Sequence, residues 1–165
     1  MKYTTIDSPV GSLQLRRDDI GLTALLYVDG RHPDAARVRP DDERADDDFD
    51  DVRTQLEEYF AGRRHEFELT LHPVGTDFQL RVWAALRAIP YGKTATYTDQ
   101  ATAIGQPRAV RAVGLANGRN PISIIVPCHR VIGADGSLTG YGGGMPAKRW
   151  LLDHENSRAA APALF

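Results

Sequence analysis

The chain holds one cysteine, Cys128, in the run Ile-Ile-Val-Pro-Cys-His-Arg-Val-Ile (124–132). A thiolate is the strongest nucleophile among ordinary side chains, yet a free thiol with a pKa of about 8.5 is little ionised at neutral pH. His129 follows it directly, and imidazole is the usual acceptor for a thiol proton. Glu155, further along, could orient that imidazole as the third member of a triad. Neighbouring side chains on a strand face opposite ways, so a Cys–His contact needs a turn at Pro127 or a water between them. Glycines crowd the stretch from Gly133 to Gly144 and would let a flat ligand approach the backbone. Taken alone, a lone cysteine is equally a small buried hydrophobe, and a Cys-His-Glu set is shared with thiol hydrolases.

The elements that must position these groups fall into two halves. In the first, Tyr3–Ile6, Ser12–Arg16 and Leu22–Val28 read as strands joined by turns at Ser8–Gly11 and Asp18–Gly21. Val52, Leu56, Tyr59 and Phe60 recur at helical spacing, with Gly62 as a stop. Phe67–Leu71 alternates like a further strand. This half contains no recognisable catalytic constellation, and His32, His65 and His72 read as scattered and exposed.

A boundary falls near His72–Gly75. Beyond it, Thr76 or Asp77 caps a helix carrying Phe78, Val82, Trp83, Leu86 and Ile89, which Pro90 ends. A short helix from Tyr97 to Ile104 is broken at Gly105-Gln106-Pro107, and a second runs from about Arg108 to Gly118. Two short helices across a glycine-containing turn outline a helix-turn-helix, although many helical hairpins share that outline. Ile122–Val126 reads as a short buried strand between two prolines. A last amphipathic helix spans Ala147 to His154, and the Ala/Pro-rich tail from Ser157 should fray.

At 165 residues the chain can bury a core without staples. One cysteine makes no internal disulfide and no zinc cluster, which fits a reducing, cytoplasmic setting. No signal peptide or membrane-spanning run is legible. Residues 1–75 carry ten Lys/Arg against seventeen Asp/Glu, whereas residues 76–165 carry ten against five. Eight acidic residues lie between Asp41 and Asp51, and such a block reads as a solvated loop. The basic second half points modestly to an anionic partner.

Ile-Pro-Tyr-Gly (89–92), Thr96-Tyr97, Arg-Ala-Val-Gly (111–114), Asn120-Pro121, Pro-Cys-His-Arg-Val (127–131), Tyr-Gly-Gly-Gly (141–144) and Leu-Leu-Asp-His-Glu (151–155) occur together in this order. In this the chain resembles the O6-alkylguanine-DNA alkyltransferases, strongly over residues 75–156 and in outline through the Thr-Ile-Asp-Ser-Pro-Val-Gly-Ser-Leu opening. The resemblance implies an α+β protein. Residues 1–73 would form a ribonuclease H-like domain with a small mixed or antiparallel sheet and a helix. Residues 74–157 would form a helix-turn-helix, winged-helix-like alkyltransferase domain, and 158–165 a tail. It further implies a monomer that binds double-stranded alkylated DNA in the minor groove, flips out the damaged base and moves an alkyl group irreversibly from O6 of guanine to Cys128. Repair of O4-alkylthymine is left open.

The same resemblance distributes roles. His129 would deprotonate Cys128 through a water, Glu155 would polarise His129, and Tyr97 would hydrogen-bond the base and supply its proton. Arg111 would fill the space the base leaves, with Ala109, Ala112, Gly114 and Ala116 giving the helix a small-residue face towards DNA. Asn120 would tie the turn before the strand to the site. The backbone of Cys128 and Val131 and the amide of Gly142 would line the base pocket, Tyr141 would wall it, and Arg130 would support it. Some relatives bind a structural zinc through N-terminal cysteines; this chain has none there, so neither metal nor cofactor is expected. Gly142 stands where some members carry serine, which should loosen the loop. A lesion-binding protein without transfer would lack Cys128, a hydrolase would turn over, and a simple DNA-binding regulator leaves the thiol unexplained.

Overall fold

The computed structural model describes residues 1–163, and side chains in 1–32 and 34–156. Strands β1 (Lys2–Ile6), β2 (Leu13–Arg17), β3 (Leu22–Tyr27) and β4 (Glu43–Arg44) form one sheet in the order β3-β2-β1-β4. The first three are antiparallel neighbours and β4 joins β1 in parallel. Helix α1 (Asp50–Phe60) presents Val52, Leu56 and Tyr59 to the core and stops before Gly62, whose φ of 79° suits the residue without a Cβ.

The central strand β2 is covered on both faces. Leu13 and Leu15 enter the apolar core, while Gln14 and Arg16 are also buried under the segment 36–42. There Gln14 Nε2 donates to Ala36 O at 2.7 Å and Arg16 Nη2 pairs with Asp42 at 2.7 Å. The acidic segment is therefore a strap rather than the expected free loop. Asp46 accepts from Thr4 Oγ1 at 2.6 Å, Asp48 pairs with Lys2 at 2.6 Å, and Phe49 is fully buried. Partners on β1 and β2, plus one apolar anchor, offset the self-repulsion of the charge block.

The second half contains α2 (Asp77–Arg87), β5 (Ala95–Thr96), α3 (Tyr97–Ala103), α4 (Val110–Gly118), β6 (Val131–Ile132) and α5 (Met145–Ala163). Capping boxes at Thr76/Gln79 and Thr96/Asp99 start α2 and α3 by satisfying free helix N–H groups. Gly105, with φ 75°, makes the turn between α3 and α4, as the helix-turn-helix outline predicted. Val82, Trp83, Leu86, Ala101, Val113 and Ala116 bury the three helices against one another, and Trp83 Nε1 donates to Ala116 O at 2.9 Å. No described helix is long and apolar enough to cross a membrane.

Two expected strands do not form. Phe67–Leu71 keeps only a bridge from Leu71 to Leu22. Ile122–Val126 makes a single bridge to Leu25 and then curls. Pro121 and Pro127 contribute no N–H to a ladder. Asn120 holds the two ends, accepting from Ile122 N at 3.0 Å and donating to Val126 O at 2.8 Å, while Ile125 N and Val126 N bond back to Ser123 O and Ile122 O within the curl. Ile124 is held at φ 72°, a conformation that costs a β-branched residue about 1–3 kcal/mol. His65 and His72 also have partners: His65 stacks on Tyr91 at 3.8 Å, and His72 Nδ1 lies 2.6 Å from Asp18. Helix α5 begins two residues before the expected Ala147 and continues through the expected tail to Ala163; residues 164–165 lie outside the described residues.

Candidate active site

The curl at 122–126 leads Cys128 into a one-turn 3-10 helix, Cys128–Arg130, so Cys128 and His129 do not lie on opposite faces of a strand. Helix α5 brings Glu155 beneath it. Its carboxylate, 1% exposed, accepts from His129 Nε2 at 2.7 Å, Tyr59 Oη at 2.6 Å, and Arg130 through Nε at 2.7 Å and Nη2 at 3.1 Å. Burial alone would raise the Glu155 pKa; the bonds and charges of His129 and Arg130 reverse this and hold it well below the carboxylate range. Arg130 is fixed in turn by donating to Ile89 O at 2.7 Å.

A proton on His129 Nε2 satisfies Glu155 and leaves the Nδ1 lone pair as the basic position. Nδ1 is buried and makes no hydrogen bond to the protein. Burial pulls the His129 pKa below 6.5 despite Glu155, so the imidazole is a neutral acceptor at pH 7. Burial likewise pushes the Cys128 thiol above its usual 9.0, while Asn120 and the charge of Lys148 oppose the rise. The resting pair is a neutral thiol beside a neutral base.

A cavity of about 230 Å³ opens beside Cys128, lined among others by Tyr97, Gly114, Asn117, Tyr141 and Gly142. Tyr141 is 4% exposed and shares a hydrogen bond of 2.8 Å with Tyr27 Oη. A side chain at Gly114 would sit 3.8 Å from the Tyr97 ring, so α4 approaches Tyr97 closely. Arg111 and Ala112 are exposed and Ala109 half-buried on the outer side of α4, beside Leu115, which is 70% exposed. Val131 is not among the lining residues; its carbonyl accepts from Lys148 Nζ at 2.7 Å.

Sequence reasoning found no chemistry in the first half, and here the structure corrects it. Tyr59 bonds Glu155, Tyr27 bonds Tyr141, and Arg31 and His32 line the cavity. Arg31 N also donates to Gly142 O at 2.8 Å, tying the glycine loop to the first half. Gly143 is needed for space, because a Cβ there would lie 2.5 Å from the Tyr27 ring, whereas one on Gly142 meets nothing within 4 Å. Gly143→Ala should therefore cost about 1–3 kcal/mol in urea denaturation, with Gly142→Ala close to wild type. Among the described residues, no group of three or more His, Cys, Asp or Glu side chains is arranged to hold a metal ion.

Residues 1–73 match the family model for the 6-O-methylguanine DNA methyltransferase ribonuclease-like domain, and residues 77–157 match the model for its DNA-binding domain. The methylated-DNA–protein-cysteine methyltransferase of Mycobacterium tuberculosis is 53% identical over 160 residues, covering 96% of this chain and 94% of that protein. The protein of the same name from Methanosarcina barkeri is 48% identical over 157 residues, covering 95% and 98%. A crystal structure of M. tuberculosis OGT in complex with DNA superposes with a TM-score of 0.89 at 51% identity, over 96% of this chain and 94% of that one. With both halves matched in order and the cysteine, histidine and glutamate brought together, the chain belongs to the 6-O-methylguanine DNA methyltransferase family.

Proposed function

We propose that this chain repairs DNA in the cytoplasm by moving an alkyl group from O6 of guanine to Cys128, in one irreversible event per molecule. The observation that carries the reading is His129, fixed through Nε2 by Glu155 and left with an unshared Nδ1 pair next to the only cysteine. In this reading Nδ1 takes the thiol proton through a bridging water. The Sγ pair then forms a bond to the alkyl carbon as the C–O6 bond breaks, and Tyr97 protonates the departing base. Asn120 steadies the loop and opposes the rise in thiol pKa, and Tyr141 and Gly142 enclose the base. Residues 74–157 carry DNA binding and transfer, while residues 1–73 brace the carboxylate and one wall of the cavity.

Because the target atom lies inside the duplex, the base must leave the stack. The exposed face of α4 offers Arg111 as a plug among Ala109, Ala112 and Leu115, a narrow and partly apolar surface suited to the minor groove. Mass spectrometry after mixing with a duplex containing O6-methylguanine tests the reading. One methyl per chain, mapped to Cys128, is expected; repeated turnover or an unmodified cysteine would refute it.

The acid–base state also predicts a pH profile. With His129 neutral above its lowered pKa and Cys128 protonated below its raised one, the transfer rate should be flat from about pH 7 towards pH 9. It should hold through the ordinary imidazole range and fall only at lower pH, once His129, whose pKa burial has lowered, takes up a proton. A rate that climbs tenfold per pH unit through neutrality would show that free thiolate, not the His129-assisted thiol, is the reactant.

A further inference from the structure

The roles above leave one buried cation unused. Lys148, on α5, is 1% exposed, and no carboxylate is among its partners in the described residues. Its Nζ donates to Val131 O at 2.7 Å and approaches Thr139 Oγ1 at 3.3 Å and Thr139 O at 3.4 Å. Thr139 Oγ1 is also hydrogen-bonded to Tyr97 Oη. An ammonium thus connects through a single hydroxyl to the phenol that faces the cavity beside Cys128. Burying such a charge without a counter-ion is costly, so its retention calls for a role.

We propose that Lys148 and Thr139 are positioning residues that make Tyr97 a proton donor to the departing base. An ammonium only donates hydrogen bonds, so Thr139 Oγ1 accepts from Lys148. The Tyr97–Thr139 bond can run either way; in the proposed sense Thr139 donates to Tyr97 Oη, which leaves the Tyr97 proton free to enter the cavity. In the transfer step the Cys128 Sγ–carbon bond forms, the C–O6 bond breaks, and its electron pair stays on guanine. The Tyr97 proton passes to guanine and a phenolate remains, which accepts from Thr139 and lies near Lys148. Negative charge thereby travels from Sγ to Tyr97 Oη, and at that end the Lys148 ammonium lies one hydroxyl away. The electrostatic coupling of Lys148 to Cys128 agrees with the first of those positions.

The inference rests on the transfer reading, and a double-mutant cycle separates the two. Single-turnover transfer to Cys128 is followed at saturating O6-methylguanine duplex, with duplex affinity measured alongside. Thr139→Val should slow transfer about 10²-fold with affinity unchanged, and Thr139→Ser should restore it. Tyr97→Phe should slow transfer similarly, and adding Thr139→Val to it should change nothing further, because the second residue acts through the first. Lys148→Met should behave as Thr139→Val; should it fail to fold, the threonine series stands alone. Wild-type speed in Thr139→Val, or losses that multiply in the double variant, would overturn the relay while leaving transfer intact. A wild-type protein that gains no adduct would instead overturn the transfer reading.

Discussion

Glu155→Ala is expected to lower stability by about 3–5 kcal/mol, the usual consequence of stranding one partner of a buried ion pair. Arg130 would keep its charge with no carboxylate beside it, held by Ile89 O and the Tyr91 ring, and Tyr59 Oη would lose its acceptor in the core. Glu155→Gln is the sharper variant because it keeps size and an acceptor while removing the charge. Its fold should survive, but the imidazole would no longer be held in one tautomer. Transfer should slow by about 10²–10⁴-fold, the range for losing an orienting carboxylate or a general base. Urea denaturation and single-turnover kinetics on the two variants separate the structural from the chemical share. The sign of the linkage is fixed by the direction of the shift. Glu155 is depressed in the fold, so its stabilisation is fully present above the unfolded value near 4.5 and is lost as pH falls towards the folded value. Glu155→Gln should flatten that acid limb.

Arg111→Ala should slow transfer from duplex DNA by about a hundredfold and leave transfer from the free alkylated base unchanged. Pulling a base from the stack costs a few kcal/mol, and each 1.4 kcal/mol is about tenfold. A side chain that fills the gap lowers that cost without touching the reacting atoms. Losing one phosphate-range charge should also reduce the salt slope of binding by about one. Equal losses on duplex and free base would place Arg111 in the chemistry of the pocket and contradict the plug.

The helices of the second half and the Pro-Cys-His-Arg run were legible because their signals are local. The cap at Thr76, the turn glycine at Gly105 and apolar spacing along α2 and α4 each act within a few positions. What could not be read depends on contacts between distant residues. Tyr59 shows helical-face spacing in the sequence, and only the packing of α1 against α5 makes its hydroxyl a ligand of Glu155. Lys148 lies among charged and small residues that look like an ordinary surface turn of helix, yet the loop carrying Thr139 covers it. Ile122–Val126 has the composition of a strand, but two prolines and Asn120 withdraw its hydrogen bonds from any ladder. The acidic strap failed for a related reason: charge density was visible, and its counter-ions on β1 and β2 were not.

The neutral resting thiol bears on durability as well as rate. Peroxides, disulfides and freely diffusing alkylators attack thiolates, and a cysteine pushed above its ordinary pKa offers them very little at neutral pH. A catalyst that turns over can tolerate some loss of this kind, but a chain with one acceptor and a thioether product has no second opportunity. The desolvation that mutes Cys128 therefore sets how long an idle molecule stays competent amid stray electrophiles. Selectivity here extends to refusing every reaction that arrives without a base in the cavity.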